Sequence, residues 1–172
     1  MHLIVNINLP GRGIGRQGQL LTRISADMKR FAALTTGNIV ICGRKTLETF
    51  PGGRPLKNRT SWILSSDPDF APAGAVVFSS LEQLLDSCSR EEPDRLWVIG
   101  GASIYAALLP WCREAHVTRT FRPAQADAFF PDLDSLPGWS LTRESEIMEE
   151  AGIRFQFADY TQASPRAFNS PR

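Results

Sequence analysis

Three short stretches of this chain hold residue types that could do chemistry together. In the first, Gly100-Gly101 closes the run Arg95-Leu96-Trp97-Val98-Ile99 and precedes Ala102-Ser103-Ile104-Tyr105. Four apolar residues without alternation predict a strand buried on both faces. Two glycines at its carboxyl end let a ligand approach the backbone, and the N-terminus of a following helix favours a phosphate. In the second, Gly43-Arg44-Lys45-Thr46 follows the short apolar run Ile39–Cys42. A guanidinium at such a strand end can grip a phosphate with two bonds, which would select a 2′-phosphorylated dinucleotide, NADPH over NADH. A solvated basic turn explains those residues equally well. In the third, Asp27 lies in the first turn of a helix and Phe31 one turn later, on the same face. The dipole there favours an anion, whereas an apolar pocket would raise the pKa of the acid. Asp27 read alone is an ordinary first-turn aspartate.

The elements that must position these groups alternate along the chain. Strands are predicted at His2–Leu9, Ile39–Cys42, Ser61–Leu64, Ala75–Phe78 and Arg95–Ile99. Helices are predicted from a Ser25 cap to about Leu34, from Arg44 to Phe50, from a Ser80 cap over Leu81–Ser89, and from Ala102 to Leu109. Ala115–Phe121, Trp139–Glu146 and Arg154–Thr161 read as strands with no helical pattern between them. This order implies a mostly parallel sheet with an antiparallel C-terminal edge, flanked by about four helices. Residues 1–161 are expected to form one domain, with 162–172 as a flexible tail.

Gly13-Ile14-Gly15-Arg16-Gln17-Gly18 matches G-x-G-x-x-G but does not open directly into a helix, and the next strand end is basic rather than acidic. Gly11 to Arg23 is therefore read as a long mobile loop, a candidate lid, and not as a dinucleotide fingerprint.

Composition limits the function classes. The chain has 172 residues, a net charge of +1, 42% hydrophobic and 22% charged residues. It offers no long-range field for nucleic acid or an anionic membrane, and no stretch long enough to span one. Cys42, Cys88 and Cys112 are odd in number and widely spaced, so they are expected as reduced core thiols of a cytoplasmic protein. Cys112 and His116 approach metal-ligand spacing, but with only two histidines in the chain no metal site is expected.

Asp27, Gly43-Arg44-Lys45-Thr46, Arg54-Pro55-Leu56-x-x-Arg59, Leu64-Ser65-Ser66, Ile99-Gly100-Gly101, Tyr105, Val117-Thr118 and Asp127-x-x-Phe130-Pro131 occur in this order. With these the chain resembles the dihydrofolate reductase family from about Leu3 to Thr161. The resemblance implies an eight-stranded sheet, and hydride transfer from NADPH to the pterin ring of dihydrofolate in a monomer. It implies Asp27 and Thr118 as the catalytic pair, gripping the amidine edge of the pterin. Val5, Asn6, Ile7, Leu20, Thr22, Met28, Phe31, Phe50, Leu56 and Ile99 would line the substrate cleft, and Arg59 would bind the carboxylate of the glutamate tail. Ile7, Ile14, Leu20, Ile99, Gly100 and Tyr105 would border the nicotinamide. Thr46, Gly101, Ala102 and Ser103, with Ile104 behind them, would hold the pyrophosphate. Gly43, Arg44, Lys45, Leu64, Ser65 and Ser66 would surround the adenosine phosphate.

Three departures from the family pattern stand out. Leu21-Thr22 replaces the usual Pro-Trp, Val5-Asn6-Ile7 replaces small apolar residues, and Lys57-Asn58 replaces Pro-Gly. They bear on substrate fit and antifolate response. A same-fold reductase of another heterocycle (the aminouracil reductase type) and a non-catalytic NADPH- or folate-binding module are the alternatives.

Overall fold

The structure, a computed structural model, describes residues 1–168. In chain order its strands and helices are β1 (His2–Asn8), β2 (Gly13–Arg16), β3 (Gln19–Leu20), α1 (Ser25–Thr35), β4 (Ile39–Gly43), α2 (Arg44–Glu48), β5 (Thr60–Leu64) and β6 (Ala75–Phe78). There follow α3 (Leu81–Cys88), β7 (Leu96–Gly100), α4 (Ala102–Leu108), β8 (Glu114–Thr120), β9 (Ala128–Phe129), β10 (Trp139–Glu144), β11 (Met148–Glu150) and β12 (Ile153–Gln162).

The main sheet runs β10-β12-β8-β1-β7-β4-β5-β6. Pairing is parallel from β8 through β6 and antiparallel at β8–β12 and β12–β10, as the element order implied. Both faces are covered, which is why the central strands lack alternation. On one face Leu3, Val5, Ile41, Val98 and Val117 pack with Leu84 and Cys88 of α3 and with Ile104 and Leu108 of α4. On the other, Ile4, Val40 and Trp97 meet Phe31 and Leu34 of α1, while Cys42 and Ile63 meet Leu47 of α2. All three cysteines are buried free thiols. No described helix is long and apolar enough to cross a membrane.

Several local expectations are corrected. The segment read as a lid is a β-hairpin: β2 pairs with β1, β3 and β9, and Gln17 (φ 50°) and Gly18 (φ 78°) form its two-residue turn. Two positive φ values in succession are the signature of a tight hairpin turn whose twist matches the strands. Gly18 therefore serves the turn. Ser25 does not cap α1; the cap position is Ile24, which has no capping side chain. Glu150 does the work from the distant β11, its carboxylate accepting from Ser25 N at 2.6 Å and Ala26 N at 3.2 Å. Ser80, by contrast, caps α3 as expected, its hydroxyl accepting from Gln83 N at 3.2 Å. The strand expected over Trp139–Glu146 ends at Glu144, and β11 follows as a separate strand. Past β12, Arg166 donates its backbone N–H to Pro110 O at 2.8 Å and its guanidinium lies 5.2 Å from the Trp111 ring centre. The remainder of the expected tail, 169–172, lies outside the described residues.

Candidate active site

On the face covered by α1, β1 presents Asn6 and Asn8 and β8 presents Thr118 and Thr120, because alternate residues share a face and Asn6 pairs with Thr118. Asp27, the third residue of α1, points onto this polar strip and is 9% exposed. The Thr118 hydroxyl donates to Asp27 Oδ1 at 2.5 Å, and the Asn6 amide donates to Oδ2 at 3.1 Å. Thr120 in turn donates its hydroxyl to Asn6 Oδ1 at 2.8 Å, which fixes the orientation of the Asn6 amide. Burial pushes the Asp27 carboxyl above the usual carboxylate range, and the two hydrogen bonds and the charge of Arg30 only partly oppose it. Of the two competing effects at this helix start, desolvation wins. A carboxylate has about four lone-pair sites; two are used here, which leaves two for a ligand.

From Asp27 the same face of α1 continues through Phe31 to Thr35, at successive i, i+4 steps. Thr35 Oγ1 accepts from Arg59 Nε at 3.1 Å, and the Arg59 guanidinium lies 5.8 Å from the Phe31 ring centre. The remaining guanidinium edge is partly engaged, Nη1 donating to Lys57 O at 2.8 Å. Eight residues of helix separate the acid from this cation, about 12 Å along the axis. The cleft thus suits an extended molecule with a hydrogen-bonding head and an anionic end. Met28 and Leu20 are exposed at its open side, whereas Phe50 and Leu56 are half-buried.

The adjacent parallel strands β4 and β7 end side by side, with Cys42 opposite Gly100. A Cβ on Gly101 would stand 3.3 Å from Thr46 Oγ1, and one on Gly43 would stand 3.2 Å from Ile104 Cγ1. The two strand ends therefore approach closely, and α2 and α4 both start there. The first intrahelical bonds of α4 are donated by Ile104 and Tyr105 N to Gly101 O, so the amides of Ala102 and Ser103 lie ahead of the helical ladder. Arg44, with Glu48 at 3.4 Å and Asp67 at 3.8 Å, lies beyond them, and the Ser65 hydroxyl accepts from Asp67 N. Ile99 packs against both the Trp97 cluster and the Cys42 cluster, between the two halves of the cleft.

Not every expected residue presents its side chain here. Val5 and Ile7 project to the opposite face, into the main core. Tyr105 is buried beneath the glycine pair, donating its hydroxyl to Ile4 O at 2.7 Å. At Gly100 (φ 120°) a Cβ would meet the Tyr105 ring at 3.2 Å, so this glycine is required by the protein's own packing. Thr22 is buried with its hydroxyl accepting from Asn8 Nδ2 at 2.8 Å. Ile104 is core, Ile14 packs on its edge, Leu64 is half-buried, and Lys45, Ser66 and Ser103 are exposed. Thr120 and Asn8 were not anticipated, although i, i+2 spacing from Thr118 and Asn6 was the signal for them.

The chain is similar in sequence and fold to known proteins. A family model described as dihydrofolate reductase matches residues 1–162. Dihydrofolate reductase of Bacillus subtilis (strain 168) is 36% identical over 135 residues, covering 78% of this chain and 77% of that one. The enzyme of Mycobacterium leprae (strain TN) is 34% identical over 151 residues, 86% and 89% of the two chains. Dihydrofolate reductase from Enterococcus faecalis, solved in complex with NADP(H) and RAB-propyl, superposes with a TM-score of 0.83 at 29% identity, over 94% of this chain and 95% of that one. On sequence, on fold and on the length matched, the chain belongs to the dihydrofolate reductase family.

Proposed function

We propose that this chain reduces 7,8-dihydrofolate to 5,6,7,8-tetrahydrofolate with NADPH, and that Asp27 and Thr118 are its catalytic pair. The observation that carries the assignment of roles is the Asp27 carboxyl, buried between Thr118 and Asn6 and held above its ordinary pKa. Its two free lone-pair sites match a ring N–H and an exocyclic amine in one plane. Thr118 fixes the carboxyl plane, and Asn6, where the family usually has a small apolar residue, is a second fixed donor to the same group. The raised pKa lets the carboxylate take up a proton in a pH range where an exposed aspartate cannot. Phe31 supplies a flat apolar wall one turn along, and Arg59 a cation for the carboxylate of the tail.

NADPH, when bound, supplies the hydride. The cleft fits it: the amides of Ala102 and Ser103 and the Thr46 hydroxyl converge where Gly43 and Gly101 let the backbones approach, and Arg44 and Ser65 stand where a 2′-phosphate is met. For Arg44 to bind that phosphate, its contacts with Glu48 and Asp67 must yield. Val5, Ile7 and Tyr105 act from behind, by shaping the backbone that faces the ligand. The reading is of a monomer acting on a small molecule.

The test is NADPH consumption with dihydrofolate, followed spectrophotometrically for the native chain and for Asp27→Asn. Turnover in the first and a large loss in the second is expected. Equal rates would remove Asp27 from the mechanism, and tight NADPH binding without turnover in the native chain would favour a non-catalytic module.

A further inference from the structure

At the opening end of β1 and β8, on the face that carries Asp27 farther along, three electron-pair donors converge. His2 and Glu114 are paired neighbours in register, and His116 follows Glu114 on the same face. His2 Nδ1 lies 3.3 Å from Glu114 Oε2, and His116 Nε2 lies 3.6 Å from the same oxygen. All three donor atoms lie within 4.8 Å of one another. His2 is 7% exposed, and its Nδ1 has no hydrogen-bond partner despite that carboxylate oxygen. We propose that His2, Glu114 and His116 form a binding site for one divalent transition-metal ion of the zinc class.

The spacing fits the ion. Four-coordinate zinc holds nitrogen and oxygen at roughly 2.0–2.2 Å, which places neighbouring ligand atoms roughly 3.3–3.5 Å apart. Two of the three edges here already have about that length. The outer atoms fit as well. His116 Nδ1 lies 2.9 Å from Asp159 Oδ1, and His2 Nε2 lies 3.3 Å from Asp94 Oδ1. A carboxylate on the far nitrogen of a histidine turns the lone pair of the near nitrogen toward a metal. Both rings are also held flat against one indole: Trp97 stacks on His2 at 4.6 Å and on His116 at 5.2 Å. Arg113 takes Glu114 Oε1 at 3.6 Å and Asp94 Oδ1 at 2.8 Å. Arg30 is bound by Asp159, with its Nη2 3.4 Å from His116 Nδ1, so both guanidinium groups sit on the outer atoms of the cluster rather than on Glu114 Oε2. Three protein ligands leave a fourth position for water. The thiol suggested by spacing takes no part, because Cys112 donates to Leu108 O from the opposite side of the sheet. This reverses the expectation of no metal site, and the ligand set is His2-Glu114-His116 rather than Cys112-His116.

The experiment uses the untagged, chelator-stripped chain, titrated with Zn²⁺ by calorimetry and with Co²⁺ by visible absorption and tryptophan quenching. One equivalent should bind, with the d–d bands of four-coordinate cobalt, no thiolate charge-transfer band, and a Tm that rises on loading. His116→Gln and Glu114→Gln should each weaken binding at least tenfold, whereas Cys112→Ser and Asp27→Asn should bind like the parent. Circular dichroism and dihydrofolate-dependent NADPH oxidation check that each histidine or glutamate variant is folded. Failure of the parent to bind one equivalent, a thiolate band, or undiminished binding by folded His116→Gln would each overturn the proposal.

Discussion

The same face of β1 and β8 carries two polar clusters, about four residues apart along the strands, or ~13 Å. One surrounds Asp27 with neutral donors from Asn6 and Thr118, and Thr120 orders them from behind. The other brings together His2, Glu114 and His116, with carboxylates behind the imidazoles. Strand pairing is identical in both, and α1 lies over both. The difference is one of chemical demand. The first cluster adjusts the proton affinity of a single acid and leaves it two acceptor sites for a hydrogen-bonding ligand, whereas the second brings three electron-pair donors together and suits a cation. One pair of strands can thus house a proton site and a metal site without either intruding on the other.

The comparison breaks most sharply at Asp27. Asp27→Asn should lower kcat for NADPH oxidation at neutral pH by about 10²–10⁴-fold, the usual contribution of a positioned acid. In the parent, activity should fall as pH climbs through the raised Asp27 value. Stability follows the same sign. A carboxyl whose folded pKa is raised contributes fully below its unfolded value and loses that contribution as pH rises through the folded one. The Tm of the parent should therefore fall relative to Asp27→Asn across that window, measured by thermal unfolding from acid to neutral pH.

Two substitutions on β8, two residues apart, separate the clusters. Thr118→Val removes a hydrogen bond to a carboxylate, worth about 1.5–3 kcal/mol, and should lower kcat/KM at least tenfold. His116→Gln should leave kcat/KM within about twofold and abolish the metal-dependent rise in Tm. A large turnover loss in His116→Gln would show that the two clusters are one functional unit. At the far end of α1, Arg59→Lys removes the planar fork and should raise KM for dihydrofolate about tenfold with little change in kcat. Asn6→Ala should have a smaller effect. It removes one donor to the Asp27 carboxylate and so should move the alkaline limb of the pH–rate profile to higher pH, with only a several-fold change in kcat. Glu150→Gln, at the start of α1, should have the smallest effect, a slight fall in Tm at neutral pH that vanishes as pH falls through the lowered Glu150 value, with an unchanged pH–rate profile.

Much of this molecule was legible in one dimension. Unbroken apolar runs at Ile39–Cys42 and Leu96–Ile99 announced strands covered on both faces, and their glycine ends announced the cleft. Asp27 and Phe31 were readable as one helix face because i and i+4 are neighbours on any helix. The β2–β3 hairpin was not, because a four-residue strand with two glycines and a two-residue exposed one carry neither alternation nor apolar runs. The cap on α1 was hidden because its acceptor, Glu150, is 125 residues from Ser25. Asn6 was readable as a departure from the family pattern in the substrate cleft; its hydrogen bonds with Asp27 and Thr120, which give it a task, were not.

Local rules suffice for which residues share a helix face or strand face, where elements begin and end, and therefore for an α/β chain with a basic, glycine-lined edge. Period and propensity act over a few residues and need no knowledge of the rest. What packing alone decided was the register of β1 against β8 and the seating of α1 above them. That register brings Thr118 to Asp27 across 91 residues and sets His2 beside Glu114. It is chosen by burying the whole sheet at once, because a shift of one residue would turn every buried side chain on β1 to the wrong face.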